Sequence, residues 1–258
     1  MPTTVAKDDI RLLSVCVQYD DLLAITLPSW LPHVKSVLII TSPDDVATQQ
    51  LAASHGPQVQ VYTTDAFYRY GAHFNKGLAI EEAFDVLGRE GWLLIADADI
   101  VFPNQMDLPE LSQNMLYTPR RRILDDLRHL DRLDSLNDRV APVRNDGGHY
   151  GYFQLFHADA PQLQARPWYT TDWTHAGGAD NDFQNKFPAS HKCWLRGFTV
   201  THLGPCDENW FGRSTARVDT GAHDAFALQR RELQEALKRK HGWGRRKTDE
   251  PLQERIGE

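Results

Sequence analysis

Two carboxylates one residue apart, Asp97 and Asp99, directly follow the apolar run Trp92-Leu93-Leu94-Ile95-Ala96 and precede Ile100-Val101-Phe102-Pro103. Leu93 to Ala96 reads as a central strand covered on both faces, because such strands are continuous apolar runs. Placing two aspartates beside that core is costly unless their charge is offset, and an oxygen-ligated divalent cation offsets it. At the carboxyl end of a parallel strand, where open α/β sheets bind ligands, the pair can hold a metal against a phosphate. The same residues also suit a turn or a helix N-cap.

Two further groups have chemistry to offer. Gly177-Gly178-Ala179-Asp180-Asn181-Asp182 puts two glycines, which let the backbone pass close to a ligand, ahead of a carboxylate at a helix start. A carboxylate so placed can take the proton of a hydroxyl nucleophile. His202 closes the apolar stretch Trp194 to His202, and oxygen ligands plus one imidazole suit Mn²⁺ better than thiolates would. Taken singly, Asp180 and Asp182 could cap a helix bearing Phe183 and Phe187, and His202 could be a satisfied strand-end histidine.

The elements that must position these groups alternate. Strands are expected at Ile10 to Val17, Val34 to Ile40, Val59 to Tyr62 and Leu93 to Ala96. Helices are expected from Leu22 until Pro28 ends or kinks it, over Val46 to Ser54 after Pro43-Asp44-Asp45, and over Phe74 to Leu87. Strand–helix alternation implies a parallel sheet with right-handed crossovers. Beyond Pro103 the alternation stops. Pro119 to Asn145 carries leucines at 124, 127, 130, 133 and 136 and predicts an amphipathic helix in part. Tyr150 to Phe156 and Trp194 to His202 read as strands, and Ala225 to Lys240 as a C-terminal helix before a frayed tail.

A chain of 258 residues, 41% hydrophobic and 24% charged, has the composition of one α/β domain with extensions. Its longest apolar run is too short to span a bilayer, and Met1 to Asp9 lacks a signal-peptide apolar core. Three scattered cysteines, Cys16, Cys193 and Cys206, suit a reducing compartment, so a cytoplasmic, bacterial or viral setting is expected. The net charge of −7 is uneven. Residues 209–249 hold ten Lys and Arg against five Asp and Glu, which marks either a polyanionic partner or a solvated helix face.

Asp97-Ala98-Asp99, the Gly-Gly-Ala-Asp segment and His202, in that order, resemble the GT-A class of nucleotide-sugar glycosyltransferases. The middle motif looks most like the Gly-Gly-Glu-Asp segment of galactosyltransferase-type inverting members. The resemblance implies an α/β fold, a Rossmann-like mixed sheet flanked by helices. It implies a GT-A domain over 1–208, with a donor half at about 8–103 and an acceptor half at about 104–208, and a basic loop, helix and tail over 209–258. Asp97, Asp99 and His202 would hold Mn²⁺ or Mg²⁺ on the diphosphate of a nucleoside-diphosphate sugar, most simply a UDP-sugar, and Asp180 would be the catalytic base. Ala179 stands where the family usually has glutamate, which puts that acceptor contact in doubt. Nucleoside contacts would come from Gln18, Tyr19, Thr41, Asp44 and Asp65, and diphosphate contacts from Lys76 and from Arg213. Arg213 lies in a segment, Trp210 to Arg217, resembling the mobile loop that closes over the donor. Acceptor contacts would fall to Trp173, Gly177, Gly178 and Asp182.

Other readings remain open. Asp97-Ala98-Asp99-Ile100-Val101 also fits the first motif of haloacid-dehalogenase-type phosphatases, with Asp97 as nucleophile, although three strand–helix units precede it. A nucleotidyltransferase would want a glycine-rich loop where Val17-Gln18-Tyr19-Asp20 stands, and a binding module that lost catalysis would tolerate Ala179. The acceptor is expected to be a glycan. The basic clusters Arg230-Arg231, Lys238-Arg239-Lys240 and Arg245-Arg246-Lys247 keep hydroxymethylated phage DNA as a second candidate.

Overall fold

Four apolar strands separated by helices build a parallel half-sheet. In the computed structural model these are β1 (Ile10–Val15), α1 (Asp20–Trp30), β2 (Ser36–Thr41), α2 (Val46–Ala53), β3 (Val59–Thr63), α3 (Lys76–Leu87) and β4 (Trp92–Ala96). The structure describes residues 4–221 except 138, 145 and 207, together with 232, 235, 236 and 239. Strand order is β3-β2-β1-β4, and every pair is parallel.

The second half continues the same sheet as β5 (Ile100–Val101), β6 (Leu116–Leu124), β7 (Val143–Arg144), β8 (Phe153–His157) and β9 (Lys192–Leu203), with α4 (Ala179–Asn185) between β8 and β9. β8 is antiparallel to β4, β6 pairs with β8 and runs parallel to β9, and β5 closes antiparallel on β9. The fold is therefore a mixed α/β sheet flanked by helices, as the family resemblance implied, with the parallel half expected from the strand–helix alternation.

Alternation along the strands divides the core between the two sheet faces. Ile10, Leu12, Ile39, Leu94 and Ala96 pack with Leu23, Leu27 and Trp30 of α1. Leu13, Leu38, Ile40, Leu93 and Ile95 pack with Ile80 and Phe84 of α3 and Phe183 of α4. Among the described residues no helix is long and apolar enough to cross a membrane.

Two expectations need correction. Pro119 to Asn145 is not an α-helix: its start belongs to β6, and Leu127–Ser135 forms 3₁₀ turns interrupted at Arg132. A leucine every third residue is the repeat of a 3₁₀ turn, where i and i+3 eclipse, rather than the 3.6 of an α-helix. Leu127, Leu130, Leu133 and Leu136 still share one side, packed against Leu22, Leu124 and Leu203. Pro28 does not end α1, which runs to Trp30. Trp30 is fully buried and its Nε1 donates to Ile100 O at 2.6 Å, so tertiary packing outweighs the lost backbone donor. The expected helix over Ala225 to Lys240 lies outside the described residues, but for Glu232, Glu235, Ala236 and Arg239.

Candidate active site

After β1 the chain moves outward through β2 to β3, whereas β4 lies on β1's other side. That reversal opens a crevice at the carboxyl ends of β1 and β4, the general ligand position of open α/β sheets. Asp97-Ala98-Asp99 forms the turn there. Ala98 is buried, and its carbonyl accepts from Thr26 Oγ1 at 2.7 Å, which ties the turn to α1. The Asp99 carbonyl accepts from Leu203 N at 2.9 Å and Ile100 pairs with His202, so the β5–β9 ladder brings the second aspartate to the histidine.

Asp99 Oδ2 lies 3.5 Å from His202 Nε2, and Asp99 Oδ1 is buried with no hydrogen-bond partner. His202 Nδ1 is 3.0 Å from Gly204 O. Because a carbonyl only accepts, Nδ1 carries a proton, and Nε2 is the nitrogen presented to Asp99. Burial opposes a charge on His202, but the Asp99 carboxylate and Cys206 outweigh it and raise its pKa to about 9. Burial likewise pushes the Asp99 carboxyl up, His202 only partly countering it. The pair thus holds a proton that an incoming cation would displace.

Asp97 is engaged differently. Lys76, the first residue of α3, donates from Nζ to Asp97 Oδ1, with side chains 14% and 31% exposed. Asn75 Oδ1 caps that helix by accepting from Leu78 N at 2.9 Å. Burial raises the Asp97 carboxyl, but the adjacent ammonium prevails and holds it below the usual carboxylate range. Burial disfavours the charge on Lys76, and Asp97, Asp180 and Asp99 together restore and strengthen it.

Asp180 sits in the first turn of α4, where Phe183 and Phe187 anchor the segment in the core. Its Oδ2 accepts from Gly151 N at 2.9 Å and its Oδ1 from Asn181 N at 2.8 Å. Both oxygens keep a further acceptor site. Of the two glycines before it, Gly178 is sterically required. Gly178 has φ +118°, and a Cβ there would lie 2.6 Å from the Trp173 ring. Trp173 is fixed in turn by donating from Nε1 to Asp182 Oδ2 at 2.7 Å.

One cavity of about 960 Å³ gathers Tyr19, Lys76, Asp97, Asp99, Trp173, Gly177, Gly178, Asp180 and His202. The other expected residues do not line it. Asp182 stands behind Trp173 as its acceptor. Thr41 points inward to Asp45 Oδ2 at 3.0 Å, and the Gln18 backbone N–H donates to that same oxygen. Asp45, not Asp44, is therefore the carboxylate that reaches the chain after β1, and it is engaged on both oxygens, since it also caps α2 through Thr48 N. Asp44 is exposed, and Asp65 is exposed and paired with Arg69. Arg213 does not face the cavity as a loose cation. It forks onto Asp21, both side chains being at most 5% exposed, donates to Gln18 O, and covers the Tyr19 ring. The segment that carries it docks on the glycine loop, where Ala176 N donates to Trp210 O at 2.7 Å.

Sequence reasoning missed one wall of the cavity: Arg121, Arg144, Asp146, Tyr150 and Tyr152. Arg121 binds Asp146 through two 2.9 Å hydrogen bonds and lies over Tyr152, while Arg144 Nε stands 3.3 Å from the same carboxylate. Arg121 and Arg144 both lie in the segment read in part as helix, and Tyr150 and Tyr152 in one read as a strand, with no local pattern to join them.

The donor set suits a hard divalent cation in a particular way. Among the described residues no three His, Cys, Asp or Glu side chains are grouped to ligate one ion. Asp99 and His202 offer two ligands, with a partnerless Asp99 oxygen between strand ends. Mg²⁺ and similar ions are commonly held by one or two protein ligands plus substrate phosphates, so the residues present fit a cation that a diphosphate completes.

No family model matches the sequence, and neither does any curated protein. Solved structures that align with it include mannosyl-3-phosphoglycerate synthase from Rubrobacter xylanophilus, at 13% identity over 94% of this chain and 78% of that one, TM-score 0.44. Another is glucosyl-3-phosphoglycerate synthase from Mycobacterium tuberculosis with Mn²⁺, UDP and glucosyl-3-phosphoglycerate, at 14% identity over 77% and 74%, TM-score 0.45. Similarity at this level carries no argument about activity, which has to come from the site.

Proposed function

We propose that the protein is a glycosyltransferase that uses Mn²⁺ or Mg²⁺ to move a sugar from a nucleoside-diphosphate sugar, by preference a UDP-sugar, to an acceptor hydroxyl with inversion. The observation that carries this reading is one cavity holding both the Asp99–His202 pair, with its partnerless carboxylate oxygen, and Asp180, a carboxylate fixed by two backbone N–H groups. Charge supports it. The described lining carries Asp97, Asp99, Asp146, Asp180 and Glu208 against Lys76, Arg121, Arg144 and a protonated His202, so an added cation favours entry of a diphosphate.

Bound at Asp99 and His202, with Asp97 nearby, the cation would offset the charge of the departing diphosphate. Lys76 adds its ammonium on the same side. Asp180 takes the proton from the acceptor hydroxyl as it attacks, and no second protein nucleophile is needed, which is why inversion follows. On this reading residues 8–103 serve the donor and 104–208 the acceptor, with Tyr19 and Lys76 as donor contacts and Trp173, Gly177 and Gly178 at the acceptor. The acceptor proposed is a glycan, because Tyr150, Tyr152, Trp173 and Trp210 give the cavity aromatic faces with polar edges. Hydroxymethylated DNA rests on basic clusters almost wholly outside the described residues. Activity on DNA would fall steeply with salt, and a flat response removes it.

The test is melting temperature with UDP-, GDP-, ADP- and CMP-sugars, each with Mn²⁺ and again with EDTA. A ligand at about 100 times its Kd stabilises by about 2.7 kcal/mol, a shift of about 5–10 °C in a chain of this size. A shift with one donor that disappears with EDTA and in Asp99→Ala supports the reading. No shift with any donor overturns it and favours the phosphatase alternative at Asp97.

A further inference from the structure

The Lys76–Asp97 contact has a consequence for the cation. Asp97 and Asp99 are one residue apart, so an ion held by Asp99 and His202 would lie in the field of the Lys76 ammonium, which already occupies Asp97 Oδ1. The contact is also not a loose surface pair. Lys76 is fixed at the capped start of α3, and Gly77 beside it packs so closely on Thr170 O that a Cβ would come within 2.1 Å.

We propose that Lys76 is a resident cation of the metal site. It withholds Asp97 from the ion, keeps the donor-free protein's metal affinity low, and makes tight metal binding depend on the donor. The diphosphate brings oxygen ligands for the ion and anionic partners for the ammonium, so Lys76 no longer opposes the metal once the donor is present. By linkage, metal must tighten donor binding by the same factor. This inference rests on the glycosyltransferase reading.

The test is Mn²⁺ binding followed by electron paramagnetic resonance, where the signal of free aqueous Mn²⁺ falls on binding, with and without UDP. It needs no turnover. Wild type should bind Mn²⁺ weakly alone and more tightly with UDP. Lys76→Met and Lys76→Gln should bind Mn²⁺ alone about 10–100-fold more tightly, the size of effect that neighbours of metal ligands exert, and should gain less from UDP. Lys76→Arg, which keeps the charge, should stay close to wild type. Lys76→Gln carries the comparison if Lys76→Met does not fold. Wild-type affinity in both neutral variants overturns the inference and leaves the glycosyltransferase reading standing. Failure of wild type to bind Mn²⁺ even with UDP overturns both.

Discussion

Gly151→Ala isolates the positioning of Asp180 without touching the carboxylate. A Cβ at Gly151 would lie 2.9 Å from Asp180 Cβ, 3.1 Å from Oδ2 and 3.4 Å from Cγ. Carbon atoms in contact prefer about 3.5–4.0 Å, so the Asp180 side chain must give way by somewhat under about 1 Å. The helix cannot retreat as a body, because Phe183 and Phe187 are fully packed beneath it. The movement therefore falls on the carboxylate and on its hydrogen bond from Gly151 N. A misplacement of about 1 Å costs on the order of 10²-fold in rate. Overpacking at the site should lower stability by about 1–3 kcal/mol. The assay is release of nucleoside diphosphate from the donor that stabilises the protein, with water or an acceptor as nucleophile, beside the donor-induced melting shift. The expected result is a kcat lowered about 10²-fold with the donor and Mn²⁺ shift retained. A kcat within a few-fold of wild type would refute Asp180 as a base held by Gly151.

Asp180→Asn should lower kcat by about 10²–10⁴-fold while donor binding survives, and an equal loss of both would show a binding role instead. Since His202 keeps its proton up to about pH 9, Mn²⁺ must displace it. Protonation competes with the ion, so affinity should fall as pH drops below about 9, by up to about tenfold per unit, in titrations between pH 6 and 9; a flat profile sinks the ligand role of His202. Arg213→Ala leaves Asp21 buried without its guanidinium and should cost about 3–5 kcal/mol in urea denaturation, whereas a change under about 1 kcal/mol would mean that the segment after β9 is not held by this pair.

The parallel half-sheet was legible because β2 and β4 are near-continuous apolar runs, β1 and β3 are rich in Val, Ile and Leu, and helical segments alternate with them, signals local to the chain. Asp97, Asp99, Asp180 and His202 were singled out because they occur in the order of a family pattern, each having a structural use when taken alone, and the structure brings the four to one cavity. Arg121 and Asp146 were not legible, since a buried ion pair 25 residues apart leaves no periodicity. The 3₁₀ turns at Leu127–Ser135 were misread because their leucine repeat lies close to that of an α-helix. Arg213, Asp44 and Asp65 were selected by residue type and place in the chain, whereas tertiary neighbours decide their work. The sequence by itself determined which residues can ligate, take a proton and line the sheet. Only the tertiary structure decided which of them meet: the β5–β9 ladder joins Asp99 to His202, and the start of α3 sets Lys76 on Asp97. That decision is non-local because distances across a cavity depend on how distant strands register, and no local pattern encodes register between segments a hundred residues apart.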